Sequence, residues 1–195
     1  MSKFITKWCT SIKEISEKDW LNLCDNKCIP FYRWEWFYTL ENSQSIVPKY
    51  GWQPLYLSIW NKSKLISFAP LFLKAHSYGE FIFDQAFCEL ANQLGVNYYP
   101  KLIGMSPVSP VEGYKFLIAS GENEQELTDF MMQRIDEFCI NNKILSCNFL
   151  YVDPKWRDIA EHSHCATWIN KNSLWSANSD KNFNDYLSRF NANQR

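Results

Sequence analysis

The run LISFAPLFLK, residues 65–74, limits the fold more than any other stretch of this chain. It is apolar at odd and even positions alike, so as an extended strand it must be covered on both faces. Pro70 sits in its middle and has no N–H to give a ladder, which puts the strand at an edge or bulges it there. Upstream, WQPLYLSIW (52–60) alternates Leu55, Leu57 and Ile59 against Tyr56, Ser58 and Trp60, and NKSK between the two runs reads as a turn. Downstream, AHSYG reads as a turn closed by Gly79, and EFIF (80–83) as a further short strand.

Helical spacing appears on either side. ISEKDWLNLCDNKC offers Ser16 as an N-cap with Asp19 three residues later, then Trp20, Leu21, Leu23 and Cys24. FYRWEWFYTLENS sets Trp34, Trp36, Phe37 and Leu40 on one stripe, with Glu41 at its end. DQAFCELANQLG is a short helix between Asp84, a good N-cap, and Gly95, a good residue to follow a helix end. The strongest helix lies in GENEQELTDFMMQRIDEFCINNK, its stripe running Leu127, Phe130, Met131, Ile135 and Phe138. PKWRDIAEH is a short helix with proline in its first turn. NYYPKL, YKFLIAS, ILSCNFLYVD and CATWINKNSLW supply strands. Strands interleaved with helices along the whole length predict an α/β (α+β) chain, a mixed sheet with helices on both faces.

Composition narrows the function. The 195 residues fit one ordinary domain. Twenty Lys+Arg against 21 Asp+Glu, with no basic run, do not supply the counterion release that drives autonomous nucleic-acid binding. No apolar run nears the ~20 residues of a membrane span, and the N-terminus lacks the apolar core of a secretory signal. A cytoplasmic protein is expected. The seven cysteines, at 9, 24, 28, 88, 139, 147 and 165, form no CxxC and no zinc-type spacing, so free, mostly buried thiols and no metal site are expected. EHSHC (161–165) reads as a polar loop. Aromatics at 17 % exceed what a core needs and favour ring-walled clefts or interfaces.

KAHSYGEFIFD (74–84) concentrates proton-transfer groups beside a buried strand, and YYPK (98–101) repeats the pattern. Together with TLENSQSIVPKYGWQPLYL and YYPKLIGMSPVSPVEG, these blocks resemble the FemAB-like family, named for peptidoglycan biosynthesis or recognition, within the wider GNAT acyltransferase superfamily. The similarity spans about residues 15 to 195. It implies a GNAT-like mixed central β-sheet and transfer of an acyl or aminoacyl group onto an amine, such as that of a cell-wall precursor. The donor would be acyl-CoA or aminoacyl-tRNA. Family members carry two GNAT-like halves. Residues 1–178 are therefore expected to be the N-terminal half domain, and 179–195 the start of a helix leading to a second half that would be its partner. The apolar stripe Phe183, Tyr186, Leu187 and Phe190, with neither Gly nor Pro to end it, fits that reading. The alternative is a non-catalytic recognition or structural domain for a peptidoglycan-type ligand or the partner half.

Acyl transfer to an amine needs a base for the amine, donors for the carbonyl oxygen and a proton for the leaving group. His76 or Glu80 would be the base and Tyr78 a proton donor, which makes these three the catalytic candidates. Lys74 and Lys101 would hold a carboxylate or phosphate. They join Ser77, Tyr98, Tyr99 and, from its matching block, Glu41 as substrate-binding candidates. The competing reading is a polar hairpin tip with Lys74 extended from a strand end. Ser77 is not placed as a covalent nucleophile, because SYG is not the Gly-x-Ser-x-Gly elbow. Asp84 is assigned to helix capping. The helix start SGENEQEL puts Glu122, Glu124 and Glu126 where GNAT proteins present unpaired N–H groups to the CoA pyrophosphate, which disfavours CoA binding there.

Overall fold

The structure is a computed structural model and describes residues 4–24, 28–78, 81–171, 173, 175–177 and 179–193. The chain divides into two compact units, Met1–Cys165 and Ala166–Arg195.

The first unit is a mixed α/β fold. Its strands are β1 (Ile5–Cys9), β2 (Trp52–Pro54), β3 (Tyr56–Asn61), β4 (Lys64–Ala69), β5 (Leu71–Lys74), β6 (Lys101–Gly104), β7 (Leu117–Ile118) and β8 (Cys147–Phe149). Its helices are α1 (Glu17–Trp20), α2 (Trp34–Asn42), α3 (Gln85–Gln93), α4 (Glu124–Asn141) and α5 (Pro154–His162). The strands form two four-stranded sheets, β1-β3-β4-β7 and β2-β5-β6-β8. Only the β6–β8 pair is parallel among them. One hairpin belongs to both sheets. It steps from β2 to β3 at Leu55 and back from β4 to β5 at Pro70, and the Leu55 N–H donates to the Leu71 carbonyl across the step at 2.9 Å. Pro70 thus falls where the ladder is interrupted, as its missing N–H requires.

Successive side chains on a strand point to opposite faces, and here both faces are buried. Tyr56, Phe68, Phe72 and Ile103 share one core with Trp20 of α1 and Phe37 and Leu40 of α2. Leu57, Ile59, Ile66 and Leu102 share the other with Leu127, Met131 and Ile135 of α4 and Trp156 of α5. The first core is aromatic and packs edge-on, with ring centroids 4.7 Å apart for Trp20–Phe68 and 5.6 Å for Tyr56–Phe72. Edge-to-face pairs align the positive rim of one ring with the negative face of the next.

Four expectations change. The 16–24 helix is short: Ser16 caps it as expected, but only Glu17–Trp20 is α-helical. EFIF forms no strand over its described residues 81–83, where Phe83 takes φ +54 and breaks any extended run. None of the described residues of 166–177 is in a strand. Cys24 and Cys28 are joined as a disulfide rather than free: four residues apart, their Cα atoms come within 5.4 Å, inside bridging range. Cys9, Cys88, Cys139, Cys147 and Cys165 are free.

The second unit holds α6 (Phe183–Ser188), capped by the Asn182 side chain, which accepts from the N–H groups of Asn184 and Asp185. Its Tyr186 ring meets Trp175, Phe183 and Phe190, and Arg189 pairs with Asp180. No helix among the described residues is long and apolar enough to cross a membrane.

Candidate functional site

Strand register builds the site. Trp52 on β2 stands opposite Lys74 on β5, and Lys74 stands opposite Lys101 on β6. The three form one row across the sheet, on the face of Phe72 and Ile103, and all are buried. Lysine is almost never fully buried unless something offsets its charge. The Lys74 ammonium lies 3.9 Å from the centroid of the Trp52 ring, a cation–π contact between two buried side chains.

Lys101 pairs with Asp84, whose carboxylate is also buried, though slightly less than the lysine. The remaining donors of Lys101 reach the Tyr98 hydroxyl at 3.2 Å and Asn148 Oδ1 at 3.1 Å. An ammonium has three protons, and each has a partner here. Asp84 also accepts from Ser77 Oγ at 3.0 Å and from the Tyr99 hydroxyl, which lies 3.3 Å from either oxygen. Asp84 stands at the N-cap position of α3, but its side chain makes no cap bond. Its carbonyl receives the first helical N–H groups, from Phe87 and Cys88, while its carboxylate serves Lys101.

Burial alone would raise the Asp84 carboxyl; the hydrogen bond and charge of Lys101 outweigh it and hold it below the ordinary value. For Lys101 burial prevails, and Asp84 only partly restores the ammonium. Burial is the largest influence on both groups; at Asp84 the hydrogen bond and charge of Lys101, with the Ser77 hydroxyl, outweigh it, and at Lys101 the hydrogen bond and charge of Asp84 do not. Burial, with Asp84 beside them, also raises both tyrosines. Tyr98 and Tyr99 are therefore protonated donors at neutral pH, not bases.

His76 lies beside this network. It is half-buried, stacks on Tyr78 at 5.6 Å between centroids, and its Nδ1 has no hydrogen-bond partner among the described residues. A Cβ added at Gly51 would come within 2.6 Å of His76 Nε2, and Gly51 takes φ +73, so the ring's seat requires glycine. Tyr78 is exposed, Ser77 is buried in the network, and Glu80 lies outside the described residues.

A family model described as FemAB-like, peptidoglycan biosynthesis/recognition, matches residues 11–195. The chain belongs to the FemAB-like family. No curated protein and no solved structure matches it. In this FemAB-like chain Lys74, Ser77, Tyr98, Tyr99 and Lys101 lie in one network or its adjoining row. Glu41 does not join them. Its carboxylate accepts from Ser11 Oγ at 2.5 Å, the Ile12 N–H at 2.8 Å and the Tyr56 hydroxyl at 2.9 Å, fixing the end of α2 to the first turn of the chain. Two members of the network escaped the sequence reading. Asp84 was assigned to capping, although it closes the very block that supplies Lys74 and Ser77. Asn148, half-buried, had a usable signal, a carboxamide within the apolar strand CNFL, because an amide drawn out of water needs a partner. At the start of α4 Asn123 caps the helix, accepting from the Glu126 N–H, and Glu124 and Glu126 place negative charge on its first turn.

Proposed function

We propose that this FemAB-like chain forms the acceptor side of an acyl- or aminoacyl-transfer site acting on an amine of a peptidoglycan precursor in the cytoplasm. The supporting observation is the buried row Trp52–Lys74–Lys101, ending in Asp84 and edged by Tyr99 and His76. Buried positive charge beside donor hydroxyls favours a carboxylate or phosphate of the acceptor. His76 takes the proton released as the amine nitrogen bonds to the carbonyl carbon. Tyr99 donates to the oxygen or sulfur that leaves as the old acyl bond breaks, and Asp84 holds the phenol in place. The acyl donor, acyl-CoA or aminoacyl-tRNA, is brought by a second GNAT-like half, in keeping with the acidic start of α4.

One observation favours a role without catalysis: every Lys101 proton is engaged inside the network, so the ammonium acts on a ligand through its charge and has no proton to give a reacting group. The two readings separate in one experiment. Muropeptides and acyl donors are added to the chain together with its second GNAT-like half, with amide product followed by mass spectrometry and binding by calorimetry. Transfer is expected, with His76→Ala and Tyr99→Phe each slowing it about 100-fold or more while acceptor binding persists. Saturable muropeptide binding with no product from either donor would leave the recognition reading; neither binding nor product would overturn both.

A further inference from the structure

The chain leaving β8 meets the site twice. Asn148, within the strand, accepts one proton of Lys101 at its Oδ1, 3.1 Å away. Tyr151, just past the strand end, donates its hydroxyl to the Phe81 carbonyl at 2.7 Å, a contact between points 70 residues apart in sequence. Phe81 stands shortly before Asp84. One stretch of chain therefore holds the lysine of the ion pair directly and the aspartate through its own segment.

Backbone strain lies on both sides of the Tyr151 bond. Tyr151 takes φ +54, and so does Phe83, between Phe81 and Asp84. Bulky residues seldom enter the left-handed region, and they stay there only where their surroundings over-determine them. Around Tyr151 they do. Its carbonyl accepts from the Gly113 N–H at 2.7 Å and the Tyr114 N–H at 2.9 Å, and the Leu150 N–H before it donates to Gly104 at 2.9 Å. Its half-buried ring packs against the aromatic core, and burial raises the phenol, which stays a donor at neutral pH. On the other side Ile82 is sunk in the same core, and Asp84 opens α3. Phe83 is held between those two anchors.

The carboxylate placed in this way serves Lys101, Ser77 and Tyr99 at once. Its bonds to the Tyr99 hydroxyl, at 3.3 Å, are the longest of the set and lie past the usual range for an O–H donor. They are the first to fail when the segment shifts.

We propose that Tyr151 is a positioning residue of the site: its bond to the Phe81 carbonyl sets the place of Asp84, and so of the Tyr99 phenol that Asp84 holds. The test has two arms built on Tyr151→Phe, which deletes one hydroxyl and keeps the ring. The kinetic arm rests on the transfer reading and uses the chain together with its second GNAT-like half. There kcat is expected to fall about 10-fold, with the KM for muropeptide within about two-fold of wild type. Tyr99→Phe/Tyr151→Phe is expected to be no slower than Tyr99→Phe, because the effect passes through that phenol. The stability arm needs no transfer. In urea denaturation of the 195-residue chain, the loss in Asp84→Asn/Tyr151→Phe is expected to fall well short of the sum of the single losses, whereas Glu41→Gln and Tyr151→Phe should add. Additive losses at Asp84 overturn the proposal. So does a wild-type kcat in Tyr151→Phe, a loss confined to KM, or further slowing in the Tyr99→Phe background. Absence of any transfer in the wild type defeats the transfer reading, and the Asp84 cycle then decides for or against Tyr151 alone.

Discussion

Two carboxylates, Glu41 half-buried and Asp84 buried, organise two parts of the first unit, and they are held by different means. Among the described residues Glu41 is fixed by neutral donors: a serine hydroxyl, a backbone N–H and the phenol of Tyr56. Asp84 is fixed by an ammonium, with Ser77 and Tyr99 adding hydroxyl bonds. Neutral donors orient a carboxylate without a second charge to strip of water. The Asp84 arrangement desolvates two ions, and a well-packed apolar pair of similar size is often as stable or more so. Glu41 is thus explained by the packing it secures. Asp84 and Lys101 cost more than that packing needs, and this difference draws the functional reading to their end of the sheet.

The comparison breaks most visibly at Lys101. Lys101→Met leaves a buried carboxylate without its cation and is expected to cost about 3–5 kcal/mol in urea denaturation. Asp84→Leu/Lys101→Met should recover most of that loss, because it removes both charges together. A double variant as unstable as the single one would show that shape, and not charge, holds this end. Glu41→Ala comes next, at about 2 kcal/mol, since the Tyr56 hydroxyl loses its partner in a buried setting. It should leave ligand binding at the lysine row unchanged.

Acid sharpens the contrast. The folded Asp84 carboxyl lies below its ordinary value of 3.8, so the unfolded chain binds more protons between the two values and stability falls as pH drops through that window. This contribution is complete above about pH 4 and absent once both states are protonated. Asp84→Asn should flatten that limb of an acid-denaturation profile, with its overall stability also lower. The smallest stability effect is expected for Tyr99→Phe, about 1 kcal/mol, because Lys101 and Ser77 still serve Asp84. Its effect on transfer should far exceed that figure, and equal modest losses in both would mark Tyr99 as structural.

Much of the architecture was legible because it follows from local chemistry. Pro70 announced an interrupted ladder, the stripe from Leu127 to Phe138 had the spacing of the long helix α4, and Gly95 took the left-handed φ that ends α3. The site was legible in its blocks but not in its wiring. Asp84 has the residue type and position of a cap, and only the strand register that brings Lys101 nearby diverts its side chain. Glu41 was drawn toward the site by its sequence block, whereas its partners at Ser11 and Tyr56 come from distant points in the chain. EFIF and CATWINKNSLW had strand-like composition, but strand formation also needs a partner edge, which composition does not specify. The Cys24–Cys28 bridge was missed because the four-residue spacing also suits a helical turn.

The hairpin that steps at Leu55 and Pro70 also bears on how the chain assembles. Its arms join through Lys62 and Ser63, so its contacts close short loops, while β1, β6, β7 and β8 must be recruited across longer ones. Loop-closure entropy favours the short closures first. Because this hairpin crosses both sheets, a single early event presents edges to both. The two sheets then grow from one nucleus, and refolding is expected to show one main phase in which they appear together.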